Sequence, residues 1–500
     1  MYFSFANTTS KYSYHTELSF KEKYEQSRQE NLVLKEQIAE LRRLIFGSKS
    51  ERFISSQSDE HQLGLFEEDT QQEDTAEQEQ ITYSRTKPKE KQIPVRALLP
   101  AHLPRVEEII EPESLNKDAV KIGEQITEIL EYNPAKIFVR KIVRPKYVLK
   151  DQQRIFIAEL PTLALPKSNA GAGLLAHILA SKYVDHLPFY RQRQIFKRQN
   201  LKLSDSTLSG WFNATTRLLE PLYDCLQNNL LKSNYLQADE SPIGVQDSHK
   251  SESLHTGYHW VYHAPIEGLV LFKYDKSRSA KAPSKFLQDF SGTLQTDGYK
   301  VYQNLQIKTI LKNLSCMAHA RRYFEKALDN DHSRASHALE KIQVLYALER
   351  KIREKQLDNT TIIRYRRRYA KPILKQLHDW MQKEYPKVLP KSSIGKAIAY
   401  SLRLWSQMSA YTEDGSYQID NNLIENAIRP LALGRKNYLF AGSHKAAQKA
   451  AMMYSFFATC KINQVEPYAW LNDILQRIPE HKANKLDQLL PQNWKKTATS

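Results

Sequence analysis

Apolar and polar positions repeat with a different period in each part of the chain, and each change of period marks a change of element. Between residues 20 and 45 the spacing alternates four and three. Tyr24, Asn31, Ile38 and Ile45 take the a positions of a heptad, and Phe20, Ser27, Leu34 and Leu41 take d. β-Branched a residues with leucine at d favour a two-stranded coil, and a buried asparagine such as Asn31 fixes its register. The pattern predicts a coiled coil over 16–50 that pairs two protomers; a helix docked on its own domain is the alternative. Residues 51–93 have no period. They read as a linker, acidic and Gln/Ser-rich at first and basic over 84–93.

Over 94–160 the segments ITEILEY (126–132) and KIFVRKIVRPKYVL (136–149) alternate in strand fashion. They predict a small strand-rich module. Arg140, Arg144 and Lys146 are candidate DNA-backbone contacts there, or else part of an exposed sheet face. After a Pro/Ala/Ser joint at 161–170, the period over 171–232 is helical. Two helices, a short turn and a third helix starting at Ser204 or Asp205 give a helix–turn–helix outline.

At 233 the period switches to that of strands. NYLQADESPIGVQ (234–246), GYHWVYHA (257–264) and GLVLFKYDKSRSA (268–280) read as three antiparallel strands. SKFLQDF (284–290) reads as a helix, and GTLQTDGYKVYQNL (292–305) as a fourth strand and turn. That order opens a ribonuclease H-like α/β fold, in which an acid on the first strand and one ending the fourth lie side by side. Helical spacing over 326–415 predicts an all-α insertion. The core, 233–325, then resumes at 416–460, and 461–500 closes the chain.

Charge narrows the class of partner. Lys and Arg number 73 against 56 Asp and Glu, a net +17, which favours a polyanion such as nucleic acid. Three cysteines, Cys225, Cys316 and Cys460, are too few and scattered for a disulfide framework or a four-cysteine zinc site. No apolar run is long enough to span a bilayer and the N-terminus has no signal-peptide core, so a cytoplasmic, nucleoid-associated protein is expected.

The candidate chemistry lies in three acids. Asp239 sits inside an otherwise apolar strand, where a carboxylate is costly unless paired or bound to a metal. Asp297 precedes Gly298, and Asp-Gly is also a common turn. Glu425 lies in DNNLIENAIRPLALGRKNYLFAGS (420–443), where Asp420 is a suitable cap and a helix over 421–431 ends near Pro430. Asn422, Glu425, Asn426 and Arg429 share one face of that helix; a solvated face with a Glu425–Arg429 pair is the alternative reading. Together the three acids suit two Mg2+ ions, or Mn2+, which prefer carboxylate oxygens. Arg321 and Arg322, beside His319, form either a phosphate clamp or a basic helix face. Cys316 and His319 have metal-ligand spacing but no partner pair in the sequence, so zinc is not expected.

The motifs ENLVLKEQIAELRRLIFGSKSER, RPKY, LLAHILASKYVDHLPFYRQRQIF, STLSGW, LQADESP, LQTDGYKVY, AHARRYF and the 420–443 stretch resemble, in order and over nearly the whole chain, the insertion-sequence-66 type of DDE transposase. The resemblance implies that Asp239, Asp297 and Glu425 are a metal-binding triad for DNA strand cleavage and transfer. It also implies an N-terminal zipper, a DNA-binding module, a ribonuclease H-like core with a helical insertion, and accessory proteins of the same element. The partners so implied are the element's terminal inverted repeats and target DNA, with Arg429, Arg435 and Lys436 as further phosphate contacts. Many relatives carry a cysteine-rich zinc element around RPKY. Residues 95–160 contain no cysteine here, so that zinc does not carry over.

Overall fold

A computed structural model of the chain describes residues 27, 28, 31, 34, 137, 146–148, 155–157, 162–166, 168–247, 250–303, 305 and 310–495. Most of the expected coiled coil, the linker, and Arg140 and Arg144 fall outside these residues. Within the heptad segment Ser27, Arg28, Asn31 and Leu34 are helical and exposed, and Asn31 donates to the Ser27 carbonyl at 3.0 Å. Strands β1 (Lys146–Val148) and β2 (Ile155–Ile157) form an antiparallel pair with Lys146 opposite Ile157. They belong to a unit spanning Glu60–Leu160, whereas Pro161–Ser500 belongs to another, so the boundary falls at the expected Pro/Ala/Ser joint.

The larger unit begins with helices α1 (Ala172–Tyr183), α2 (Phe189–Arg198) and α3 (Asp205–Leu231). Ser204 caps α3 by accepting the Thr207 N–H at 3.0 Å, a contact worth about 1 kcal/mol. Leu219, Leu222, Leu226 and Leu230 recur along α3 at helical spacing and are buried in the main core.

Strands β3 (Tyr235–Asp247), β4 (Lys250–Ala264) and β5 (Leu269–Asp275) follow as an antiparallel meander. Helix α4 (Lys281–Phe286) then crosses over to β6 (Gly292–Thr296), which runs parallel to β3. A short helix α5 (Lys300–Gln303) leads to β7 (Ile310–Ser315), parallel to β6. The sheet order is β5-β4-β3-β6-β7. An open edge is a liability that must be covered. On β5, the Val270 and Phe272 N–H groups are taken by Thr459 Oγ1 at 3.1 Å and Ser455 Oγ at 2.8 Å. Both hydroxyls lie on a later helix, His444–Ile462.

Between β7 and the return to the sheet the described chain is all helical, as expected. It comprises α6 (Met317–Lys326), α7 (His332–Glu354), α8 (Asn359–Tyr365), α9 (Lys371–Glu384), α10 (Ser393–Arg403) and α11 (Trp405–Ser409). These helices enclose a separate core that includes Ile342, Leu345, Leu374, Leu377, Met381 and Ile398. A π-helical turn, Arg366–Ala370, joins α8 to α9.

The chain returns through α12 (Asn422–Tyr438), β8 (Phe440–Ala441), α13 (His444–Ile462) and α14 (Pro467–Arg477). The expected end of α12 at Pro430 is overridden. Proline forfeits one helical hydrogen bond, but Leu431 and Gly434 beyond it are buried. Gly434 lies so close to the Tyr454 hydroxyl that a Cβ would sit 2.5 Å from it. Packing on α13 therefore carries the helix two turns further. No described helix is long and apolar enough to cross a membrane.

Candidate active site

Strand β3 changes neighbours along its length. Tyr235, Leu236 and Gln237 pair with Thr293, Leu294 and Gln295 of β6, and Gly244 and Val245 pair with Phe440 and Ala441 of β8. Between these stretches no described strand covers that edge, and Asp239 lies in the gap. Two residues past the Gln237–Gln295 pair come Asp239 within β3 and Asp297 just after β6 ends. Parallel neighbours are about 4.8 Å apart, and side chains alternate faces. Gln237 Nε2 donates to Gln295 Oε1 at 3.0 Å, so both glutamines occupy one face. Asp239, two residues on along β3, continues the same row.

Beneath them is a buried polar ladder. Tyr235 donates to Gln295 Oε1, Gln237 Nε2 also reaches the Asp420 carbonyl at 3.0 Å, and Gln295 Nε2 reaches the Gln418 carbonyl at 2.8 Å. These bonds tie the chain entering α12 to the two acid-bearing strands. Asn421, the residue at the helix cap, donates from Nδ2 to the Ala238 carbonyl at 3.4 Å, and its N–H donates to Cys316 Sγ at 3.2 Å. The expected cap, Asp420, sits one residue earlier. It accepts the Asn422 N–H at 3.0 Å and the Tyr346 hydroxyl at 2.8 Å. Glu425 thus starts in the first turn of a helix fixed beside Ala238, and Asn422, Asn426 and Arg429 are exposed on its outer side.

Asp297 and Glu425 both act on Asp239 electrostatically. Burial, then the neighbouring carboxylates of Glu240 and Asp297, push Asp239 up to about 8; Glu425 adds to the effect, and the Glu240 N–H opposes it. That N–H donates to Asp239 Oδ1 at 2.7 Å. Asp297 accepts the Tyr299 N–H at 2.8 Å, and its carbonyl accepts the Tyr400 hydroxyl at 2.6 Å. Gly298 turns the chain here with φ +82°. Glu425 accepts from Arg322 at 2.6 Å through Oε2, so its cationic partner is Arg322. Its Oε1 is buried and receives no hydrogen bond among the described residues. His319 Nδ1 lies 4.0 Å from that oxygen, and carboxylate oxygens of this kind are the donors that Mg2+ or Mn2+ prefer.

Sequence reasoning missed Glu240. Its side chain is buried on the opposite face of β3, where Arg278 holds Oε1 at 2.5 Å and the Tyr302 hydroxyl holds Oε2 at 3.1 Å. Its adjacency to Asp239 was the available signal. The sequence offers Cys316 and His319 no partner pair, and the fold brings one acid to them. That acid is Glu425, with ligand-type atoms of all three within 4.8 Å of one another. The cation found there is internal. Arg322 reaches both Glu425 and, at 3.3 Å, His319 Nε2.

Of the other basic candidates, Arg321 is largely buried and bonded to Glu325 at 3.4 Å. Arg435 donates to the Pro242 carbonyl on the uncovered edge of β3. Arg429 and Lys436 are exposed on α12. Lys146 lies in β1 of the smaller unit.

These features define an α/β protein with one acid within β3, another just past the end of β6 and a third on a helix that returns from an all-α insertion. The profile of the Transposase IS66 family matches residues 167–449, that of the IS66 C-terminal element matches 455–492, and that of the Transposase C of IS166 homeodomain matches 33–107. The chain belongs to the IS66 transposase family. It is 30% identical to the uncharacterized protein y4hP of Sinorhizobium fredii, covering 94% of this chain and 90% of that one. It is 31% identical to y4jD of the same organism, covering 93% and 95%.

Proposed function

We propose that the protein is a DDE transposase that cuts the ends of its insertion sequence and joins them to target DNA by phosphoryl transfer. The observation that carries this reading is that Asp239 and Asp297 each follow the paired residues Gln237 and Gln295 by two positions, with Glu425 in the first turn of a helix tied to Ala238. The strand order, antiparallel through β5-β4-β3 and parallel through β3-β6-β7, supports a ribonuclease H-like core. Asp239, Asp297 and Glu425 would hold two Mg2+ ions, with Mn2+ as a substitute. When bound, the ions supply Lewis acidity at the attacking and leaving oxygens of an in-line displacement.

The chain's own groups do the positioning. The Gln237–Gln295 ladder sets the height of the two aspartates. Asp420 and Asn421 fix the start of α12, and Arg322 holds Glu425 Oε2. Arg429 and Lys436, exposed on the same helix, suit contacts to backbone phosphates. The N-terminal heptads would pair two protomers so that two element ends meet, and accessory proteins of the element belong to the same reading.

The test is strand transfer on DNA carrying the flanking inverted repeats. Asp239→Asn, Asp297→Asn and Glu425→Gln should each abolish Mg2+-dependent joining while binding of the repeats persists. Full activity in any one of them sinks the triad. Hydrolysis without a joined product would indicate a nuclease instead.

A further inference from the structure

The junction of α12 and β8 contains a residue the proposed chemistry does not use. Leu439 has φ +63° and ψ −48°, a backbone conformation that a leucine adopts only under strain. Its side chain is 68% exposed, so burial does not offset the strain. The next residue, Phe440, is 39% exposed although it pairs with Gly244 of β3, and Leu433 one and a half turns back is 45% exposed. Cations surround this apolar tip. Lys436 is exposed on α12, and Arg191, exposed on the basic helix α2, donates to Asn437 at 3.0 Å. An apolar point set among cations matches duplex DNA, whose phosphates meet the cations while the apolar side chains enter between bases.

We propose that Leu439 and Phe440 form a wedge that unstacks the donor DNA beside the cleavage site. The inference rests on the transposase reading. It adds the place and manner in which the duplex is deformed. Gly244 lies five residues beyond Asp239 on β3, roughly 17 Å at about 3.3 Å per residue. That is the length of about five base steps at about 3.4 Å each, so the unstacked step lies within about five nucleotides of the phosphate that is cut. Strain in the backbone keeps the leucine pointed outward instead of letting it fold back on α12.

The experiment uses the full chain and duplexes carrying the terminal repeat with 2-aminopurine at successive positions around the cleavage site. Wild type should brighten the probe at one position within about five nucleotides of that site. The Leu439→Ala/Phe440→Ala variant should lose the signal, bind the duplex within about threefold of wild type, and transfer strands at least about tenfold more slowly. A mismatch at the unstacked step should restore most of its rate. Leu439→Gly should raise Tm by relaxing the backbone while also losing the signal, which separates wedging from folding. If wild type cleaves the duplex but brightens no position, or if the double variant brightens it equally, the wedge is overturned and the transposase reading stands. If wild type neither binds nor cleaves the duplex, both fall together.

Discussion

Arg366→Ala tests how the helical insertion supports the acidic site. Arg366 lies in the π-helical turn and is 3% exposed; its partner Glu349 is 5% exposed. The guanidinium donates to Glu349 Oε1 at 2.9 Å and Oε2 at 2.7 Å. It also donates to the carbonyls of Tyr411 at 2.9 Å, Asp414 at 2.7 Å and Tyr417 at 3.0 Å. Those carbonyls belong to the segment that leads into Asp420 and Asn421. Truncation leaves a buried carboxylate without its cation, which costs about 3–5 kcal/mol, and strands three carbonyls whose penalties overlap with that figure. A loss of about 4 kcal/mol is a large share of the roughly 5–15 kcal/mol that holds a domain folded. The assay is urea denaturation followed by tryptophan fluorescence. Glu349→Leu combined with Arg366→Met should recover most of the loss, because no charge is then left buried. A single-variant loss below about 1 kcal/mol, or a double variant no better than the single, refutes the reasoning. At temperatures where Arg366→Ala remains folded, strand transfer should still fall about 100-fold, since a shift of about 1 Å in Glu425 suffices for that.

Two further predictions concern the acids. Asp239 is raised from 3.8 to about 8, so between those values the folded state holds a proton that the unfolded state has released. Stability in chelator should therefore fall as pH rises from about 4 through 8. Asp239→Asn should flatten that slope, and an unchanged slope in denaturation curves across this range counts against the assignment. Gly298→Ala places a Cβ 2.4 Å from Leu404 Cδ1 at φ +82°, costing about 1–3 kcal/mol and displacing Asp297. Thermal melts and strand-transfer rates should both drop, and wild-type activity would show that this turn does not position the acid.

The parts of the molecule that follow a single period were readable from the sequence. The helix–turn–helix outline over 171–232 and the all-helical insertion appear where apolar spacing predicts them, and Ser204 caps α3 as expected. Strand β7 escaped notice because Lys312 and Asn313 break the apolar pattern of ILKNLS. The length of α12 was misjudged because proline's local cost is outweighed by contacts with Tyr454, 16 residues past Tyr438 along the chain. In the site, Asp239 stood out because a carboxylate is out of place in an apolar strand, whereas Asp297 also reads as a turn and Glu425 as a solvated helix face, so the family resemblance was needed to single those two out. Glu240 did not stand out, since a glutamate beside an aspartate looks like ordinary surface until Arg278 and Tyr302 are seen to enclose it. The pairing of Glu425 with Arg322 was equally hidden. It joins residues 103 apart in sequence, and the expected i,i+4 partner Arg429 lies exposed instead.

The helical insertion also imposes an order in time. Asp297 and Glu425 are 128 positions apart (425 − 297). At about 5–20 residues per second on the ribosome, roughly 6–25 s separate the emergence of the second acid from that of the third. Through that interval the nascent chain carries two acids and an uncovered edge on β3, while the helix that closes the edge and brings the last carboxylate is still unmade. A chain released inside the insertion would be an inert fragment. The strand cleavage proposed for this site is thereby withheld until the third acid has been made.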